Sequence, residues 1–250
     1  MSLLTLRIAP CGLALLLACS STPEEKRSAV ERGQQLFESK ALSPSRLNDY
    51  TCATCHDLTA SDPPSRKAGA PLAGVTQRPL FWGGQEADLL RAVNACRNYF
   101  MLASEPLDAS EPDARDLYAY LESLEPGDDR EQPFTIVSSI GPDPLPPGDR
   151  YNGNLVYALA CQSCHGSMHS GEGRLSEGVP ILPEDTLLKH PPPDYTPRGQ
   201  HLVFNEKIRH GLFLGYGGTM PPLSAERLSD AEISDVLQAL GIYVDRPTLP

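Results

Sequence analysis

Apolar side chains recur along this chain at helical spacing, and they do so twice. Ala114, Leu117, Tyr118 and Leu121 fall at i, i+3, i+4 and i+7, and Ile233, Val236, Leu237 and Leu240 repeat the stripe 119 residues later. Such a stripe marks one face of an amphipathic helix. Each follows a helix-start signal. Ser229-Asp230-Ala231-Glu232 has the capping-box pattern, and Ser110-Glu111-Pro112-Asp113 is a near version with proline early in the helix. Upstream, Gly33-Gln34-Gln35-Leu36-Phe37 resembles Gly153-Asn154-Leu155-Val156-Tyr157, and each predicts a short helix start with an aromatic at its fifth position. Middle helices are predicted from about Glu86 to Phe100 and from about His201 to Leu212. No strands are evident. The expected architecture is all-α, with two tandem domains of short helices and long loops over 29–125 and 151–244. Between them, Glu125 to Arg150 holds six prolines and three glycines. The linker over 126–150 therefore reads as extended and stiffer than a Gly/Ser tether. Residues 245–250 form a tail.

The first residues read as an address. Arg7 gives a short positive region, and Gly12 to Leu17 belong to a brief apolar stretch, too short and too broken by Pro10 to remain as a spanning helix. The run closes Leu16-Leu17-Ala18-Cys19, which resembles the lipobox of bacterial lipoproteins. That resemblance implies a signal peptide over 1–18, lipidation at Cys19 and a polar tether over 19–28. An ordinary secretory signal that contains a cysteine is the alternative. Either way the expected location is outside the cytoplasm, with a lipid anchor on the inner or outer membrane under the first reading.

The composition is globular, with 40% hydrophobic and 21% charged residues, so a disordered chain is excluded. With 32 acidic against 21 basic residues and a net charge of −11, the chain is a poor partner for nucleic acid, whose phosphates need a basic surface. An acidic surface instead suits basic protein partners, drawn in by electrostatic steering.

The cysteines carry the chemistry. Beyond Cys11 in the signal and Cys19, five remain: Cys52, Cys55, Cys96, Cys161 and Cys164. Four form Cys52-Ala53-Thr54-Cys55-His56 and Cys161-Gln162-Ser163-Cys164-His165, each the attachment motif of c-type haem. On one helical turn both thiols can add to the haem vinyl groups, and the adjoining histidine reaches the iron. A zinc ribbon places its pairs about 15–20 residues apart, whereas these start 109 apart. A thioredoxin-like dithiol needs a βαβ context that is not visible. The expected cofactors are two covalent haems c, held by Cys52, Cys55, His56, Cys161, Cys164 and His165, with His56 and His165 on iron.

With these motifs in place, the chain resembles class I c-type cytochromes in tandem di-haem form. The second half carries Ile208-Arg209-His210-Gly211 and then Gly217-Gly218-Thr219-Met220-Pro221-Pro222-Leu223 before its capped helix. In that family the methionine before proline is the distal iron ligand, which implies that role for Met220. The first half departs from the pattern. Met101, 119 residues before Met220, is followed by Leu102, and the unpaired Cys96 precedes it by five residues. This half is similar to the haem domain of thiosulfate dehydrogenases and related haem subunits of sulfur-oxidising complexes. Those have an insertion before the motif (here Glu38 to Thr51), an Asn-x-Cys segment (here Asn94-Ala95-Cys96) and a His/Cys-ligated catalytic haem. The resemblance leaves Cys96 and Met101 both open as the distal ligand of haem 1.

A thioether ligand raises a haem's potential, whereas a thiolate stabilises the ferric state and lowers it. Two functions follow. One is an electron-transfer cytochrome serving periplasmic or membrane redox proteins. The other is an oxidoreductase with Cys96 in the catalytic centre, acting on a small anionic sulfur compound that Arg78, Arg91 or Arg97 would meet; those arginines also suit haem propionates, carboxylates or solvent. A di-haem peroxidase fits less well, because each half offers a sixth ligand. Trp82, with Phe81 and Gly83-Gly84, either lines a haem or fills a core. His169, His190, His201 and His210 have no metal-ligand spacing and are expected at the surface. The segment from Glu177 to Asp185 and the triple proline 191–193 read as a loop over haem 2.

Overall fold

A computed structural model describes residues 23–62, 64–124, 126–214 and 218–242. The signal peptide 1–18, Cys19, the tail 245–250 and Gly217 lie outside them. Among the described residues the chain is helical, with no strand and a single isolated bridge between Phe81 and Glu86. Helices α1 (Pro23–Glu38), α2 (Cys52–Cys55), α3 (Leu89–Tyr99) and α4 (Pro112–Glu122) build the first half. Helices α5 (Arg150–Ala160), α6 (Gln162–His165), α7 (Glu184–Lys189), α8 (Pro197–His210) and α9 (Asp230–Ala239) build the second. No described helix is long and apolar enough to cross a membrane.

Each half is organised around one crossing of its first helix on its last, and a glycine makes the approach possible. A Cβ on Gly33 would overlap the Asp116 carbonyl and sit 2.6 Å from the Tyr120 Cβ. A Cβ on Gly153 would overlap the Asp235 carbonyl and sit 2.9 Å from the Ala239 Cβ. The repeat is thus three-dimensional: Asp116 and Asp235, like Tyr120 and Ala239, are 119 residues apart. Both glycines lie inside their helices, not at the starts that the local pattern predicts. Helix α1 already begins at Pro23, so residues 23–28 are helical where a tether is expected. Proline at the first position with Glu24 and Glu25 behind it is a favourable helix start.

The crossings bury most of the predicted stripes. Ile233, Val236, Leu237 and Leu240 all lie in the second core with Val156, Tyr157 and Phe204. In the first, Ala114, Leu117 and Leu121 are buried, but Tyr118 is exposed and Tyr120 takes its place against Phe37, ring centroids 5.5 Å apart. The close approach at Gly33 turns that side of α4 inward. It also brings Asp116 to Arg32, with two hydrogen bonds of 2.5 and 2.9 Å. Ser229 and Glu232 form the expected capping box on α9. On α4 the residue before the helix is Glu111 with no side-chain cap, because the Ser110 hydroxyl donates to Asp108 instead, at 2.6 Å.

The proline-rich segment between the halves is extended but not free. Leu145 is buried in the second core, and Phe134 stands edge-on to Trp82 of the first half at 5.4 Å. Its backbone bonds to both halves: Arg78 donates to the Asp128 carbonyl, and the Ala225 amide to the Thr135 carbonyl. Direct contacts join the halves as well. Arg227 donates to the carbonyls of Ser65 and Lys67 at 2.8 and 2.9 Å, and Arg66 pairs with Glu232 at 2.6 Å.

Candidate haem sites

Both Cys-x-x-Cys-His segments form a single helical turn, as their spacing requires. On α2, Thr51 and Thr54 make a reciprocal capping box, and the His56 amide closes the turn onto Cys52 at 2.9 Å. On α6 the His165 amide does the same with Cys161 at 2.9 Å. No disulfide joins the five described cysteines. Burial pushes the Cys52 thiol up to about 11 and the Cys55 and Cys161 thiols up to about 12.

The two histidines are oriented in the same way. His56 Nδ1 lies 2.8 Å from the Ala70 carbonyl, and His165 Nδ1 lies 2.9 Å from the Pro180 carbonyl. A carbonyl only accepts, so each Nδ1 carries the proton and each Nε2 presents its lone pair, the tautomer that an iron ligand needs. Burial lowers both imidazole pKa values, which keeps the rings neutral. At the first site a glycine is obligatory. A Cβ on Gly69 would fall 2.7 Å from His56 Nε2 and closer still to Cε1 and Nδ1, so only glycine lets the chain reach Ala70 across the imidazole.

Around α2 lies an apolar cavity of about 1360 Å³, its mouth included. Cys52, Cys55 and His56 line one part of it, and Cys96 and Met101 line another. The last turn of α3 and the second residue after it thus bring both possible distal ligands to the same cavity. Met101 is 4% exposed, its carbonyl held by the Ser43 hydroxyl at 2.7 Å, and burial pushes the Cys96 thiol up. Trp82 lines the cavity too. The donor set and shape fit a covalently held haem: two thiols, a directed imidazole, sulfur donors in reach and an apolar wall.

Arg78 and Arg97 line this cavity and are buried, not solvated. Arg78 donates to the carbonyls of Pro71, Ala73 and Asp128. Arg97 donates to the Leu42 and Glu105 carbonyls and to Asn94 Oδ1. Arg91 is exposed and pairs with Glu86 at 2.9 Å, outside the cavity. Some lining residues had no local signal in the sequence, among them Phe134 from the linker and Arg227 from the other half.

In the second half, Met220 follows the loop after α8 and packs partly buried on the second core. Its carbonyl accepts from the Leu212 amide at 3.1 Å. Arg209, quoted above within Ile208-Arg209-His210-Gly211, is fully buried and clamps that loop to α9. It donates to the Leu223 and Leu228 carbonyls at 2.6 and 2.8 Å and to Asp230 at 2.7 Å. Two histidines expected at the surface are buried: His201, and His210 paired with Glu206 at 2.8 Å. His201 shares the flank of α8 that carries Phe204 and Ile208, whereas His210 is buried at the helix's C-terminal end on its other side. His169 and His190 lie outside the core. Helix α7, residues 184–189, begins inside the loop expected over 177–185. Among the described residues no three His, Cys, Asp or Glu side chains gather to hold a metal ion by themselves.

Residues 149–238 match the family model described as cytochrome c oxidase, cbb3-type, subunit III. This segment is similar to a c-type cytochrome domain. Such a domain implies covalent haem c and a role in electron transfer. No curated protein matches the chain. Among solved structures, thiosulfate dehydrogenase (TsdBA) from Marichromatium purpuratum in its as-isolated form aligns at 20% identity and a TM-score of 0.42. The alignment covers 94% of this chain and 49% of that one, so the chain spans about half the length of that protein.

Proposed function

We propose that the chain is an exported di-haem c-type cytochrome, anchored through Cys19, that moves electrons between redox proteins outside the cytoplasm. The observation that carries this reading is the identical construction of the two motifs: one helical turn, two thiols, and an imidazole whose Nδ1 is committed to a carbonyl. Bound haem supplies a one-electron ferric/ferrous couple at each site. The chain's part is to hold His56 and His165 in the ligating tautomer and to keep water from the apolar first cavity. It also sets the potential through the sixth ligand, with Met220 at the second site and Cys96 or Met101 at the first. The acidic surface, net charge −11, suits basic redox partners.

A second reading is favoured by one observation: Cys96 shares the first cavity with His56, and Arg78 and Arg97 line it. In that case the first haem is the catalytic centre of a thiosulfate dehydrogenase-like oxidoreductase, and the second is the electron exit.

Low-temperature EPR with near-infrared magnetic circular dichroism of the ferric holoprotein tests both. The carrier reading expects two methionine signatures, one lost in Met220→Ala and one in Met101→Ala. A thiolate signature lost in Cys96→Gly favours the oxidoreductase. A second-site spectrum unchanged by Met220→Ala overturns the assignment of that ligand.

A further inference from the structure

The imidazole of the first site is pinned by a strap that the second half of the chain holds. Residues 65–70 run across His56 in neither helix nor strand, so contacts with other segments fix their path. One side of the strap lies on the haem turn. The Gly69 amide donates to the Cys55 carbonyl at 2.8 Å, and His56 Nδ1 donates to the Ala70 carbonyl at 2.8 Å. The Lys67 ammonium donates to the Ala53 and His56 carbonyls at 2.8 and 3.3 Å. From the other side comes Arg227. Its Nε donates to the Lys67 carbonyl at 2.9 Å and its Nη2 to the Ser65 carbonyl at 2.8 Å, one planar fork on alternate carbonyls. Arg227 is itself seated on a firm turn. Its amide and that of Leu228 both donate to the Ser224 carbonyl at 2.9 Å. Leu228 is buried in the second core, and its carbonyl accepts from Arg209.

We infer that Arg227 is a positioning residue for the first haem centre: reaching over from the second half, it holds the strap whose Ala70 carbonyl orients the His56 ring. The bond from Nδ1 fixes the plane of the imidazole and raises its basicity, which favours the ferric state and lowers the potential. The Lys67 carbonyl in the fork stands three residues before Ala70, so a shift of the strap there is passed to the ring. Without the fork, the only other side-chain tie here from the second half is the ion pair of Arg66 with Glu232 at 2.6 Å. That pair grips a side chain and leaves the strap's backbone unheld. Arg227 also lines the first cavity, as Gly69 and Ala70 do, so its charge and its fork have to be separated by the variants. The inference rests on the di-haem reading with His56 on iron.

The test is a potentiometric titration of the holoprotein carrying both haems, with the first-site couple identified as the one lost in Cys52→Ser/Cys55→Ser. Arg227→Met removes the fork and the charge, whereas Arg227→Lys keeps the charge without the fork. Both should raise the first potential, leave the second unchanged and speed exchange of the His56 Nδ1 proton in the ferrous protein. Arg66→Ala breaks the ion pair with Glu232 but leaves both carbonyls on Arg227, and it should behave as wild type. If Arg227→Met does not assemble, Arg227→Lys decides alone. A first potential unmoved in Arg227→Lys overturns the inference, since the charge and not the fork would then matter. So does a second potential that moves as far as the first, or an Arg66→Ala shift equal to that of the Arg227 variants, either of which would mark a general loosening of the junction. Failure of the underlying reading looks different: the wild-type protein would then show no couple that Cys52→Ser/Cys55→Ser removes, whatever stands at position 227.

Discussion

Replacing Gly153 by alanine should destabilise the second half, although the same change in most helices stabilises. In an open helix interior alanine gains about 1 kcal/mol over glycine. Here the added methyl group would sit 2.9 Å from the Ala239 Cβ and 2.5 Å from the Asp235 carbonyl carbon. Ordinary carbon contacts lie at about 3.5–4.0 Å, so α5 and α9 would have to part by roughly 1 Å. Neither obstacle is a flexible side-chain end, so the crossing itself must open, and overpacking of this kind costs about 1–3 kcal/mol. The crossing also buries Val156, Tyr157, Ile233, Val236 and Leu237, whose contacts loosen with it. The loss should exceed the propensity gain and leave a net destabilisation of about 1–3 kcal/mol. Denaturant unfolding of the holoprotein, followed by far-ultraviolet circular dichroism and by haem absorbance, reads the midpoint. A Gly153→Ala protein as stable as wild type, or more so, would refute the claim that this glycine is there for helix contact.

Arg209→Met should cost about 3 kcal/mol or more in the same assay, because it removes the fully buried donor of the Leu223 and Leu228 carbonyls and of Asp230 Oδ1; a loss below 1 kcal/mol would contradict the clamp. His201 sets a pH dependence. It is 3% exposed, and burial pushes its pKa down from 6.5. The unfolded chain therefore takes up a proton below 6.5 that the folded one refuses, and stability falls as the pH drops from 6.5 toward the folded-state pKa, by up to about 1.4 kcal/mol per pH unit. His201→Gln should flatten that slope in unfolding measured between pH 7 and pH 5, and parallel profiles would remove His201 as the cause. Gly69→Ala should impair the first site alone, lowering the haem absorbance or displacing His56, because its methyl would occupy the imidazole's place; a normal first-site spectrum would contradict the cradle.

The parts of this molecule that were legible in the sequence are those encoded within a turn or two. Cys52 to His56 and Cys161 to His165 declare a haem turn by themselves, and the stripes ending at Leu121 and Leu240 declare α4 and α9. Misread features depend on what another segment does. Gly33 and Gly153 look like helix starts until the last helix of each half is placed across them. Tyr118 and Tyr120 are equivalent aromatics until the crossing turns one inward. His201 and His210 lack metal spacing and so look external, yet both sides of α8 are covered. The proline-rich segment declares extension but not its grip through Phe134 and Leu145. Arg227 carries no motif, since it acts on the half of the chain to which it does not belong.

The central claim is that this chain carries two covalent haems, one at each motif. Intact-mass measurement of denatured protein, expressed in a host that attaches c-type haem, tests it most directly. The account predicts the mass of two haems on the wild-type chain, one on Cys52→Ser/Cys55→Ser, one on Cys161→Ser/Cys164→Ser and none on the quadruple variant. A wild-type chain with a single haem, or two haems that survive the loss of either cysteine pair, would contradict it.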